Sequence, residues 1–136
     1  MRPLKAHPLA LIVSLAPSLA LPADAPRRVP PSDWGAQHVA FSVSEQGAAV
    51  EFDCAHGRIE GPLRLDRRGR FEAEGQYAQE RPGPVRRGES TEGRPARYRG
   101  AVRGRVMTLR VALDDGTVLG PYKLVRGQRG RVFKCR

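Results

Sequence analysis

The side chains in this chain best suited to nucleophilic or metal chemistry are two thiols, Cys54 and Cys135, and the imidazoles of His38 and His56. The stretch "EFDCAHG" (51–57) sets Cys54 two positions before His56, the spacing of a thiol with a nearby base. A reactive thiolate needs exposure and positive surroundings, whereas Glu51 and Asp53 flank this one. A zinc site needs four protein ligands, or three and a water. The chain offers two cysteines with His7, His38 and His56, and His7 lies in the amino-terminal segment. A disulfide between Cys54 and Cys135 accounts for both sulfurs, since an even cysteine count in an exported chain favours pairing. Chain entropy gives about 4.5 kcal/mol for closing a loop of about 81 residues. Other chemistries have less to draw on. Glu72 and Glu74 alternate onto an exposed face and do not form a buried pair with split pKa values. There is no G-x-S-x-G elbow and no phosphate-binding glycine loop. The expectation is a protein that is not an enzyme and holds no cofactor or metal.

The elements that position these residues begin with an export signal. Arg2 and Lys5 make the amino end basic, residues 9–21 ("LALIVSLAPSLAL") are apolar, and Ala23 and Ala25 occupy the small-residue positions of an A-x-A site. That pattern reads as a signal peptide over 1–25. It is too short, and too interrupted by Pro17, for a span of about 20 apolar residues. The expected location is secreted or periplasmic, without a membrane span. Residues 26–37 are rich in Pro and charge and read as an irregular lead-in with Trp34 tucked against the body.

From His38 onward apolar residues alternate with polar ones, the mark of half-buried strands. Val39, Phe41 and Val43 share a face, as do Val50, Phe52 and Cys54. Further inward sets are Ile59, Leu63 and Leu65; Phe71, Ala73 and Tyr77; Tyr98 and Val102; Met107, Leu109, Val111 and Leu113; Val118, Tyr122 and Leu124; and Phe133 with Cys135. "HG" (56–57), "DRRG" (66–69) and "DDG" (114–116) supply turn glycines. "QERPGPVRRGESTEGRP" reads as a mobile loop over 79–95.

A shift of 59 residues lays "HGRIEGPLRL" (56–65) over "DGTVLGPYKL" (115–124). The match predicts two four-strand halves, by duplication or by convergence on one turn solution. It makes His56 a hairpin-turn residue and Cys54 an inward one. About eight short strands in sequence order over 38–136 predict an all-β domain, a single small antiparallel up-and-down β-barrel, with a meander sandwich as the alternative. Gly61, Gly75, Gly100 and Gly120 fall on inward positions and permit sharp bends, and Pro62 and Pro121 suit bulges. If Tyr77 pairs with Tyr98, Glu72 faces Arg103. In a barrel the second and eighth strands lie about 9.6 Å apart across the first, whereas a disulfide needs Cα atoms within about 7 Å. Cys135 must run past the barrel end, or the first strand must stop short of Cys54.

The chain resembles small secreted bacterial proteins, and its strand order is similar to the calycin group of lipocalin and avidin-type barrels. Those carry a first-strand Trp preceded by Gly-x; here "DWGA" (33–36) has Trp34 followed by Gly35, and Ser32 stands at the other glycine's place. The resemblance implies a barrel and carries over no functional residue.

Charge narrows the partners. The net charge is +10, and all but Lys5, Lys123 and Lys134 of the 24 basic residues are arginine. Such a surface attracts polyanions. The leading expectation is a monomeric binding or inhibitory module that engages an extracytoplasmic protein or a polyanion. The candidate surface is Arg86 and Arg87 with the outward arginines Arg97, Arg99, Arg103 and Arg110. A small-ligand carrier with an internal barrel cavity is one alternative, and a polyanion-binding basic surface protein is the other. Specific nucleic-acid binding is disfavoured, because the aromatics point inward and leave no stacking platform.

Overall fold

A computed structural model describes residues 2–6, 8, 10, 12–19, 27–84, 87 and 93–135. The described residues contain no helix. The eight strands are β1 (Ser32–Ala36), β2 (Val39–Ser44), β3 (Gly47–Phe52), β4 (Ala55–Glu60), β5 (Arg70–Gln79), β6 (Arg94–Arg103), β7 (Val106–Leu113) and β8 (Val118–Arg126). Each pairs antiparallel with the next, and β1 returns to β8 through Trp34↔Arg126 and Gly35↔Val125. The sheet is a closed up-and-down barrel, so the sandwich alternative is set aside.

Period-two alternation builds this wall. Along β2, Val39, Phe41 and Val43 are buried and Ser42 and Ser44 are exposed; along β4, Ala55, Gly57 and Ile59 alternate with His56, Arg58 and Glu60. Large side chains fill the interior where a facing residue is small. The Tyr98 ring stands over Gly57 and Gly75, and Phe71 over Gly100. A Cβ at any of these glycines would collide with the ring, so their lack of a side chain is a packing requirement. Trp34, Phe41, Tyr98, Met107, Leu109 and Leu124 are almost wholly buried. The turn glycines Gly69 and Gly116 have φ of 76° and 88°, as "DRRG" and "DDG" require.

Several expectations are corrected. Trp34 is buried, but on a strand: β1 lies inside the expected irregular lead-in, because Trp34 points inward against Phe41. His56 sits within β4, facing out, and Gly57 faces in under Tyr98. The β3–β4 turn is Asp53–Cys54, three residues earlier than "HG" suggested, and Cys54 takes φ 52° there instead of an inward slot. On β5 and β6 the register is Ala73↔Tyr98 and Tyr77↔Arg94, so Glu72 faces Arg99 and not Arg103. A bulge opposite Leu109/Val111 accommodates Gly120 and Pro121. It turns Val118 outward, 58% exposed, and Leu119 inward.

Under the 59-residue shift, the β2–β3 and β6–β7 hairpins coincide. Both have two-residue turns, between Ser44↔Gly47 and Arg103↔Val106. The halves part at the next turn, which is tight after Phe52 and longer after Ala112.

Phe133 and Cys135 belong to no strand. After β8 the chain doubles back as a strap along the outside of β1. Gly127 N–H donates to the Asp33 carbonyl, Arg131 N–H to Ala36, and His38 N–H to Arg131. The outward positions beneath it are small: a Cβ on Gly35 would strike the Gln128 carbonyl, and Gly130 lies against Ala40. The strap lies over the Gly35↔Ala40 pair of β1 and β2 and reaches the β3–β4 turn, where Cys135 is bonded to Cys54 with Cα atoms 4.9 Å apart. Cys135 thus runs past the first strand on the outside and meets a turn residue, which resolves the distance conflict.

Ahead of the barrel, the described residues of 2–19 have no regular secondary structure. Leu4, Ile12, Val13, Leu15 and Leu19 are 73% to 100% exposed. Among the described residues no helix is long and apolar enough to cross a membrane. Ala23 and Ala25, the expected cleavage positions, lie outside the described residues, as do residues 85, 86 and 88–92 of the loop expected over 79–95.

Candidate functional site: an arginine-rich barrel end

The structure does not gather the candidate arginines into one surface. Arg86 lies outside the described residues, and Arg87 is exposed. Arg97 and Arg99 stand on the outer wall and are tied to carboxylates. Arg97 is 3.4 Å from both Glu72 and Glu74, and Arg99 is 3.3 Å from Glu72. Arg110 lies directly opposite Arg99 on β7. Arg103, the last residue of β6, belongs elsewhere: it joins a concentration of arginines at one end of the barrel.

An up-and-down barrel has two ends, each collecting alternate connections. The end that gathers residues 45–46, 61–69 and 104–105 is also where the chain enters, before β1. A crosspiece closes it. Val29 N–H donates to the Leu63 carbonyl at 2.9 Å and Leu65 N–H to the Arg27 carbonyl at 2.7 Å, with Arg28 opposite Arg64. Val29 and Leu63 plug the barrel beneath, and Arg27, Arg28 and Arg64 stay exposed.

The next connection is held by one carboxylate. Asp66 Oδ1 accepts the N–H groups of Arg68 at 2.8 Å and Arg70 at 2.9 Å. The Arg70 N–H is the main cause holding this carboxyl below its ordinary value. Val102 N–H donates to the Gly69 carbonyl, docking the turn on β6. Arg67 and Arg68 are therefore presented on a rigid turn next to Arg103. Across the end, Arg105 donates to the Arg126 carbonyl at 2.9 Å, which fixes a second arginine pair.

Nine exposed arginines thus occupy the connections and strand tips of this end, against Glu45, Glu60 and Asp66. Asp66 is engaged by the backbone and by Arg70 at 3.5 Å. A groove of about 610 Å³ opens beside it, lined by Arg64, Arg70 and Arg99 over Phe71 and Gly100. Guanidinium groups offer paired donors that match the oxygens of phosphate, sulfate or carboxylate. Like charges fixed on one face raise the local concentration of anions.

At the opposite end the carboxylates are engaged within the molecule. Arg94 bridges Asp114 and Asp115. The Asp115 carboxyl is lowered to about 2, first by the Thr117 backbone N–H. Lys134 on the strap joins Glu51 and Glu80, donates to the Ala55 carbonyl at 2.9 Å, and shares Glu80 with His56. His38 meets Asp53 at 2.5 Å. Inside this mouth, Phe52 packs against Tyr77 and Tyr122 with ring centroids 5.6 and 5.7 Å apart. Burial raises the pKa of both phenols.

The Cys54 sulfur is consumed in the disulfide, and His56 pairs with Glu80, the same carboxylate that Lys134 donates to, as part of the strap's anchorage. Among the described residues, no three His, Cys, Asp or Glu side chains converge as metal ligands. The arginine-rich end escaped sequence reasoning because its members come from four separate segments. The signal that was available is the pair of Arg-Arg steps at 27–28 and 67–68, each next to a chain turn. Comparisons with protein-family models, with known proteins and with solved structures match this chain to none.

Proposed function

We propose that this chain is an exported binding module that captures an anionic partner through its arginine-rich end. The carrying observation is the rigid presentation of Arg64, Arg67, Arg68 and Arg103 with no carboxylate paired to them among the described residues. Export is supported by the disulfide, which persists in oxidising compartments, and by the apolar run over 9–21, whose described residues stay off the barrel. The opposite end supports the same polarity, because it carries the carboxylates Glu51, Asp53, Glu80, Asp114 and Asp115, each engaged by partners within the molecule.

Retention on immobilised heparin tests this reading. The protein is retained at low ionic strength and released as salt shortens the Debye length from ~30 Å at 0.01 M toward ~3 Å at 1 M. R64Q/R67Q/R68Q/R103Q elutes far earlier. R87Q/R97Q/R110Q/R131Q, which removes the same charge from outside the arginine-rich end and its groove, elutes close to the unaltered chain. Equal shifts for the two variants would reduce the effect to net charge and end the proposal.

A second reading rests on the aromatic mouth. The barrel axis is filled by Trp34, Phe41, Tyr98, Met107 and Leu109, so a small ligand would be held at Phe52, Tyr77 and Tyr122. Ligand-induced quenching of tyrosine emission that Y77A abolishes is the result this reading requires.

A further inference from the structure

The partner of the arginine-rich end can be named by class, an inference that rests on the reading above. We propose that this end docks on an anionic bilayer surface, with phospholipid phosphates as its ligands.

The first argument is where the chain enters. Arg27 and Arg28, the first described residues of the barrel domain, lie in the crosspiece that closes this end. The apolar run reaches Leu19, its described residues are exposed, and it joins Arg27 through residues 20–26. Seven residues reach at most about 25 Å when fully extended. A bilayer that holds the run therefore receives this end first, whether or not the run is later removed.

The second argument is chemical. Large exposed apolar side chains among the described residues lie on the amino-terminal run, at Val118 near the far end, and at Phe133 on the strap. The arginine-rich end has none, because Val29 and Leu63 are buried beneath the crosspiece. Such a face adsorbs to charged headgroups and does not insert.

The third argument is distribution. The cations come from 27–28, 64–70, 103–105 and 126, spaced around the rim of the barrel and not in file along one groove. A polymer thread contacts a line of such groups, whereas a planar surface meets the whole rim. Each basic residue near an anionic leaflet is worth roughly a fivefold gain in partitioning.

Sedimentation of the full chain with vesicles tests this. One set is phosphatidylcholine alone and the other contains phosphatidylglycerol. The expected result is binding enhanced by phosphatidylglycerol and suppressed by salt. That enhancement falls on the order of 100-fold or more in R64Q/R67Q/R68Q/R103Q and only slightly in R87Q/R97Q/R110Q/R131Q. Near-ultraviolet dichroism confirms that both variants fold. Equal binding to the two vesicle sets, or equal losses in the two variants, overturns the proposal. Heparin retention that depends on the four arginines, without any preference for phosphatidylglycerol vesicles, identifies a soluble polyanion. That outcome sinks the bilayer inference and leaves the anion-binding reading in place.

Discussion

Asp53 accepts the backbone N–H of Phe133 at 2.8 Å through Oδ1, joining a turn between two strands to a strap eighty residues later in the chain. The neighbouring Cys54 N–H donates to the Phe133 carbonyl at 3.1 Å, so the two chains clasp each other by their backbones beside the disulfide. Beyond its bonds along β1, the strap is therefore fastened near this turn by hydrogen bonds, by Lys134 and by a covalent link.

Removing the link separates these contributions. C54S/C135S is expected to lose about 2–4 kcal/mol, below the ~4.5 kcal/mol that chain entropy allows for a loop of this length. Urea unfolding of the two proteins measures the difference. Amide exchange should quicken first at His38 and Cys54, whose N–H groups bond to the strap. An unchanged unfolding midpoint would mean that the polar clasp alone fastens the strap.

Gly35 has room for no side chain on its outward face, because the strap's backbone at Gln128–Gly130 occupies that space. Backbone cannot rotate away as a flexible side chain can. G35A is expected to cost about 1–3 kcal/mol, the usual range for overpacking. It should also speed reduction of the disulfide by dithiothreitol, since a lifted strap exposes the sulfurs. Thermal unfolding together with timed thiol labelling checks both.

G57A tests the interior in the same way. The added methyl meets the Tyr98 hydroxyl, which donates to the Gln76 carbonyl at 2.6 Å. Tyr98 cannot retreat without losing that bond, and its phenol is already pushed well above its ordinary value by burial. The expected loss is about 1–3 kcal/mol, read from chemical denaturation.

Acid should loosen the strap. The Asp53 carboxyl is held below its ordinary 3.8, chiefly by the Phe133 N–H, and the Glu80 carboxyl below 4.5, chiefly by Lys134. With the folded values depressed, the unfolded chain binds more protons in this range, so stability rises with pH. The contribution is complete above the ordinary carboxylate values. It fades as pH falls through about 4 and toward the lower folded values. Unfolding temperature followed from neutral pH to pH ~2 should fall, and D53N should fall less steeply. Parallel curves for the two would show that Asp53 plays no part.

Much of the wall was legible because alternation is a property of neighbouring residues. The inward sets of β2, β5 and β7 follow directly from their apolar residues, and Pro121 falls in a bulge as its missing N–H demands. β1 was hidden because Pro30, Pro31 and Asp33 disguise a five-residue strand whose chief apolar anchor is Trp34. The register of β5 on β6 depends on a connection too long to fix it, and the tyrosine match that suggested one was four residues out. Cys54 was misplaced because periodicity counted it into β3, whereas a positive φ makes it the corner of the turn. The arginine-rich end was beyond sequence reading for a different reason. Its members converge only after the barrel has closed and the crosspiece has paired with residues 63–65.

The strap also decides where the two termini leave the molecule. The chain enters at the arginine pole, and the last nine described residues carry its tail back to the far pole. A fluorophore or purification handle appended after Arg136 projects away from the cationic face, whereas one spliced before Arg27 sits on top of it. Fusions made at the two termini will thus report different affinities for the same anion, and immobilisation through the carboxyl terminus leaves the binding pole facing solution.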